Sequence, residues 1–386
     1  MPDISTINGV AAGSINTING VAKASCSTIS GVSIPSTGAS LWCTVGADGA
    51  VATAAHSDLN DWTGYVSADM GTKDYNHIAY GKDGSGDPLW VAVNENGTKE
   101  IRYSSDPTNT SGWSNTNVAA GKLFSVAWGN NVWMAGGQNG TLWRSTDGST
   151  WSQVDMSGAT DWFTTGVDIR HMASDGAGTW MCDNHDQIFK STDDGASWSK
   201  VYDTADSPVS DSGYLVRGIA YSTHSGTSRW VVLVRKSGST RVIYAASSDT
   251  SSWTLATVDG SAASAQDLID AVARQVVAGG ATVLITAGDN YARSTDGGQD
   301  WTKYNTDSDD LPRTDARDLA TDGNGTWVVV HDAGRVSINT NDGAPGNWVE
   351  QSGVQDGSSA TNLRFPTGGS NVENLDAVAA DVYLPV

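Results

Sequence analysis

The chain has 386 residues and a formal net charge of −21, with 43 acidic side chains against 22 lysines and arginines. An anion of that size repels phosphate backbones, which excludes nucleic acid as a partner. Glycine (44) and tryptophan (16) are abundant while phenylalanine (4) is scarce, a composition of short strands joined by many tight turns rather than helices.

Cys26, Cys43 and Cys182 are odd in number and far apart. Neither a disulfide framework nor a cysteine zinc site is expected, only reduced thiols of a protein made in a cytoplasm. No stretch approaches eighteen apolar residues, so no membrane insertion is expected. No basic segment followed by an apolar run opens the chain, so no secretory signal is expected.

Residues 1–38 are three copies of an eleven-residue unit: ISTINGVAAGS from Ile4, INTINGVAKAS from Ile15 and CSTISGVSIPS from Cys26. The glycine in each unit disfavours a helix. An extended arm with glycine-centred turns is predicted. Ile4, Ile7, Val10, Ile15, Ile18, Val21, Ile29 and Val32 recur in register. A solvated linker has no use for such placement, so these side chains are the predicted contacts of a docking arm. The rest of the chain, 39–386, is read as one repeat domain.

That domain is paced by tryptophans at 62, 113, 151, 198, 253, 301 and 348, spaced 38 to 55 residues apart. Such a period signals stacked or radial units. Each tryptophan closes a polar string. The string is complete at Ser191-Asp193-Gly195-Trp198 and Ser294-Asp296-Gly298-Trp301, and one residue short at Ser145-Asp147-Trp151. Asp249-Trp253 and Thr340-Asp342-Trp348 keep parts of it, and AAHSDLNDW, ending at Trp62, is the most eroded. In such a string the aspartate accepts turn N–H groups, glycine supplies a positive φ and the indole covers the hairpin. A second series (Trp42, Trp90, Trp133, Trp180, Trp230 and Trp327, with Val283 in the sixth unit) starts a strand after a turn. Each unit then reads as four strands, and radial repetition of four-stranded units is a β-propeller.

Aligned leading strands place Asp376, Asn76, Phe124, Arg170, Arg217, Asp270 and Arg317 at one equivalent position. Two readings stand. The arginines bind an anionic ligand at the channel mouth, or the alternation of Arg217, Asp270, Arg317 and Asp376 supplies inter-blade ion pairs that keep buried charge compensated. His77 and His171 follow that position two blades apart and are read as packed or surface residues rather than metal ligands. KDGSGD, SDGAG and TDGNG lack the ligand spacing of calcium loops and read as hairpin turns. The C-terminal NLDAVAAD matches the leading strands and is predicted to complete the first blade, removing an open edge. The sequence leaves open which terminus supplies that blade's second strand.

The polar strings resemble the Asp-box, or BNR repeat, of sialidases and of many non-enzymatic propellers. The resemblance implies an all-β, seven-bladed propeller of four-stranded antiparallel blades. In it, the strings staple the hairpin between third and fourth strands. Sialidases also carry three carboxylate-binding arginines, one in an Arg-Ile-Pro motif, an aspartate acid and a Tyr–Glu nucleophile pair. Here Ile34-Pro35 follows Ser33, and glutamate occurs only at 95, 100, 350 and 373. No catalytic residues, metal or cofactor are therefore assigned. The tandem INGVA units resemble N-terminal segments of tailed-phage virion proteins. The expected function is a non-enzymatic virion structural protein, assembled in the host cytoplasm. It would be held to other virion proteins by the arm and displayed for decoration or for attachment to a host-surface glycan. The alternatives are a sialidase-like carbohydrate-binding or glycoside-hydrolysing propeller and a protein-binding assembly scaffold.

Overall fold

The computed structural model describes residues 40–95, 101–116, 118, 121–156, 167–237, 239–259, 261–262, 275–287, 290–304, 311, 316–331, 334–351 and 375–381. It also describes six dipeptides of the arm, at 6–7, 10–11, 17–18, 21–22, 28–29 and 32–33.

Seven sheets form the blades, and the second to fifth and the seventh each pair four antiparallel strands in sequence order. The third blade is representative: Leu123–Gly129 innermost, then Val132–Gly137, Leu142–Ser145 and Ser152–Gln153. The second strands are apolar on both faces because each blade is sandwiched between two others. Trp133, Trp180 and Trp230 are fully buried there, and Val283 takes the same place in the sixth blade. Each innermost strand touches the next, and the seventh touches the first, so the ring is closed.

Closure is the one predicted from the C-terminus. Leu375–Ala380 pairs antiparallel with Leu41–Gly46, setting Val378 against Thr44 and Ala380 against Trp42. The second strand of the first blade thus comes from the N-terminal side. The seventh blade fastens the joint: the buried Asp318 carboxylate accepts the Val378 N–H at 2.9 Å.

Two features depart from the regular scheme. In the sixth blade the outer strand Asp300–Tyr304 pairs in parallel with Thr257–Val258, which pairs in turn with Ser261–Ala262, giving six strands. The Asp259-Gly260 step between these short strands is a hairpin signal that the period-based reading passed over. In the arm, the chain doubles back within each unit. Thr6–Ile7 pairs with Val10–Ala11, Thr17–Ile18 with Val21–Ala22, and Thr28–Ile29 with Val32–Ser33, all in one register. The glycine-containing pairs at which turns are expected (8–9, 19–20 and 30–31) lie outside the described residues. Ile4, Ile15, Cys26 and Asp270 lie outside the described residues. No helix among the described residues is long and apolar enough to cross a membrane.

Candidate functional site

The structure offers two repeated features, one in the turns that close the third strands and one on the innermost strands.

In the complete strings the serine hydroxyl organises the turn. Ser191 Oγ donates to Asp193 Oδ1 at 2.7 Å and accepts the Gly195 N–H at 2.9 Å. Asp193 also accepts the Ser197 N–H at 2.9 Å and its hydroxyl at 2.6 Å. Ser294 and Asp296 repeat this with Gly298, Gln299 and Asp300. The shorter string does the same: Asp147 accepts the Ser149 and Thr150 N–H groups at 2.8 and 2.6 Å. Burial pushes the Asp193 carboxyl up, but the bonds from Ser197 and Ser191 outweigh it and hold it below the usual carboxylate range. The tryptophans of these three strings close their turns by donating the indole N–H three residues back: Trp198 to the Gly195 carbonyl at 3.0 Å, Trp301 to Gly298 and Trp151 to Gly148 at 2.9 Å. Trp253 and the eroded Trp62 do likewise, to Thr250 and Leu59, whereas Trp113 donates instead to the Tyr65 hydroxyl at 3.1 Å.

Gly195 has φ +78°, and a Cβ there would lie 2.6 Å from Met134 Sδ in the preceding blade. The turn glycine therefore serves both the backbone and blade-to-blade approach. The residue before the serine reaches the other way. Arg144 Nε donates to the Asp194 carbonyl of the next blade at 2.8 Å, and Arg293 Nε to that of Asp342 at 2.9 Å.

The seventh turn corrects the sequence reading. Asn339, not Thr340, takes the serine's place, its Oδ1 accepting the Asn341 and Gly343 N–H groups. Asp342 holds no turn of its own. It faces the sixth blade, where its carboxylate takes bonds from Thr282 and Arg293 at 2.5 and 3.0 Å. Trp348 packs edge-on against Tyr291. Asp249 sits at the start of a strand and accepts the Ser251 N–H and hydroxyl.

On the innermost strands the ladder shifts register between Tyr75 and His77, Leu123 and Ser125, Val216 and Gly218, Ala316 and Asp318, and Leu375 and Ala377. The residue skipped in each case is Asn76, Phe124, Arg217, Arg317 or Asp376, which is the position aligned from sequence. A bulge takes one residue out of the ladder and re-aims its side chain. In the fourth blade Arg170 holds the same place ahead of Met172–Ser174, its N–H donating to Asp183 Oδ1 at 2.9 Å instead.

The bulge residues meet their neighbours around the ring. The Arg170 guanidinium lies over the Phe124 ring, 4.0 Å from its centroid, and pairs with Asp168 of its own blade at 2.8 Å. The Asp270 partner expected for Arg217 and Arg317 lies outside the described residues, as does the Asp376 side chain. His77 and His171 are packed residues. Burial first, and then the His171 ring nearby, push the His77 pKa down to about 4. His171 Nδ1 lies 3.1 Å from Asp183 Oδ2. Among the described residues no three metal-ligating side chains gather.

Asp183, only 1% exposed, was missed by sequence reasoning. It accepts the N–H groups of both Arg170 and His171 and fixes the inner end of the fourth blade. The available signal was the polar pair Asp183-Asn184 in a strand whose counterparts are apolar.

No family model and no curated protein sequence matches this chain. Solved structures resemble it in fold. YCF48 from Cyanidioschyzon merolae superposes with a TM-score of 0.52 at 14% identity, covering 80% of this chain and 90% of that one. YCF48 bound to a D1 peptide gives 0.49 at 14% identity over 72% and 82%. The Dos1 propeller gives 0.48 at 10% identity over 79% and 78%. At these identities the likeness is one of fold.

Proposed function

We propose that this chain is a non-enzymatic structural protein of a tailed-phage virion, docked through its N-terminal arm on a capsid or tail protein. The propeller projects from the particle for decoration or for attachment to a host-surface glycan. In this reading the Ser-Asp-Gly-Trp turns are Asp-boxes with a stapling role only.

The observation that carries the proposal is the arm. Three tandem units repeat one hairpin in one register, with two residues in each paired strand. A two-stranded hairpin is marginal in water even at greater length. Ordering the backbone costs about 1–2 kcal/mol per residue, so hairpins this short need an external surface to hold them. A repeat of identical hairpins suits a surface that itself repeats, as a capsid or tail does.

The test is a phage carrying the gene with residues 1–38 deleted. The arm-deleted propeller should fold and melt as the full chain does, yet be missing from purified particles by mass spectrometry. Particles that incorporate it at the full level would refute the arm's role. A chromogenic sialoside assay on the full chain addresses the glycosidase alternative, and turnover there would replace the non-enzymatic reading.

A further inference from the structure

The charge of the chain is divided unevenly. Within residues 1–38 the only charged side chains are Asp3 and Lys23, so the whole formal charge of −21 falls on residues 39–386. Two propellers that approach each other meet like charge, which opposes association through their surfaces. The arm carries no such charge. Among the described residues its three hairpins stand as separate two-stranded sheets, joined neither to one another nor to a blade.

In an antiparallel pair, opposite residues alternate between exchanging both backbone bonds and exchanging none. Each hairpin consists of two adjacent pairs, Thr6 with Ala11 and Ile7 with Val10 in the first unit. Half of the N–H and C=O groups in those strands are therefore left for a further neighbour, and such open edges are templates for another strand. Spacing dictates what that neighbour must offer. The paired segments begin at Thr6, Thr17 and Thr28, eleven residues apart each time. A partner engages all three only if its own edges recur at the same interval. The second and third contacts then form at the high effective concentration set by the first. Another copy of the arm meets this condition by identity, with the same interval, the same strands and no net charge to repel it.

We propose that the arm is a self-association element: residues 1–38 of two or more copies of this chain pair edge to edge through their hairpins, leaving the propellers as separate heads. This rests on the contact role given to the arm above but needs no phage partner. Joined arms supply the additional strands that an isolated two-stranded hairpin lacks. In the virion reading, the body that docks is then the joined arms rather than a single arm.

The experiment is sedimentation velocity of the full chain at about 1–100 µM, where contacts of micromolar strength are populated, in about 0.15 M salt to screen the propellers. The full chain should show at least twice the mass of one copy, and the chain lacking residues 1–38 the mass of one. A second variant carries two extra residues after Ser14 and again after Ser25, which lengthens the interval equally in every copy. Alone, it should associate within about twofold of the unaltered chain, because matched copies keep a common register. Mixed with the unaltered chain, it should form joint assemblies about tenfold more weakly, because the three contacts no longer form together. A full chain that stays monomeric over this range, or an arm-deleted chain that associates as well as the full one, would overturn the self-association role. So would an inserted variant that no longer associates with itself, which would mean a partner of fixed spacing, or one that mixes freely with the unaltered chain, which would mean adhesion without register. Particle incorporation of the arm-deleted chain is a separate readout: full incorporation alongside arm-dependent association would refute the docking role and leave self-association standing.

Discussion

The turns that close the third strands and the bulges of the innermost strands both recur around the ring, the bulges in five blades among the described residues, and they are built on opposite terms. In the turns, side-chain identity is repeated and the polar groups satisfy one another locally: serine to aspartate, aspartate to backbone, indole to carbonyl. On the inner strands only the backbone irregularity is repeated. The residue placed there changes from Asn76 to Phe124, Arg170, Arg217, Arg317 and Asp376. Where side chains repeat, a local physical demand fixes them. Where geometry repeats but side chains differ, each blade has been free to present something different to the channel. The first feature belongs to the fold, and the second is where this particular propeller can differ in function from any other.

The largest expected effect comes from breaking the inner ring outright. Deleting residues 372–386 removes the first blade's innermost strand, the Val378 N–H partner of buried Asp318, and the covering of two strand edges. The turns are left chemically intact. If the ring is what unifies the blades, the truncated chain should aggregate or lose its single cooperative transition in denaturant. A soluble truncation with one sharp transition would show that the turns alone suffice.

Within the turns, Trp198→Ala should cost about 3–5 kcal/mol, since the ring is 7% exposed and its removal leaves a cavity between blades. Asp193→Ala should cost less, about 1–3 kcal/mol, for turn N–H groups left without an acceptor. Chemical denaturation of the two variants measures both costs. An unchanged midpoint for Trp198→Ala would remove the stapling role.

The same contrast explains what the sequence revealed. The turns were legible because their chemistry is local: Ser191, Asp193, Gly195 and Trp198 lie within eight residues and bond to one another. The closing strand was legible because NLDAVAAD carries the pattern of the other leading strands. The inner position could be aligned, but not its cause, because a bulge is a relation between two strands and leaves no composition of its own. Asp183 escaped for a similar reason, since its partners Arg170 and His171 are a dozen residues away, just ahead of the neighbouring strand. Asn339 escaped because its amide oxygen does the work of a hydroxyl, a substitution visible only in the hydrogen bonds. The chain order of Thr340 and Asp342 pointed elsewhere.

On the inner strands the sharpest measurable signal is His77. Its pKa is pushed down from 6.5 to about 4, by burial first and then by His171. The folded state therefore keeps the ring neutral while the unfolded chain takes up a proton. The unfolded state binds more protons throughout that window, so stability falls as pH drops from 6.5 to 4 and is lost no further below it. At about 1.4 kcal/mol per pKa unit, the loss is at most about 3 kcal/mol. His77→Gln should flatten this limb relative to the unsubstituted protein in urea melts taken at several pH values. Parallel curves for the two proteins would mean that the ring titrates freely.

The smallest effect concerns the bonds that link one turn to the next, and it tests whether the turns are as self-contained as their chemistry suggests. Asp194 is held from the third blade by two donors. Arg144 Nε reaches its carbonyl and Asn130 Nδ2 its carboxylate, both at 2.8 Å. Asp194 itself has φ +57°, a left-handed conformation uncommon for an L-residue though more accessible to aspartate than to most. Each donor satisfies a group that water would otherwise reach, so Arg144→Met or Asn130→Ala alone should cost only about 0.5–1.5 kcal/mol. The two share one partner residue, so their losses should not add. A double variant should depart from the sum by about 0.5 kcal/mol or more, the scale found for residues coupled through a common group. Strict additivity in a denaturant double-mutant cycle would mean that the two bonds act independently and that Asp194 keeps its conformation without them. Coupling would mean that neighbouring turns hold one another in shape, so that the ring of turns is a cooperative belt rather than seven separate staples.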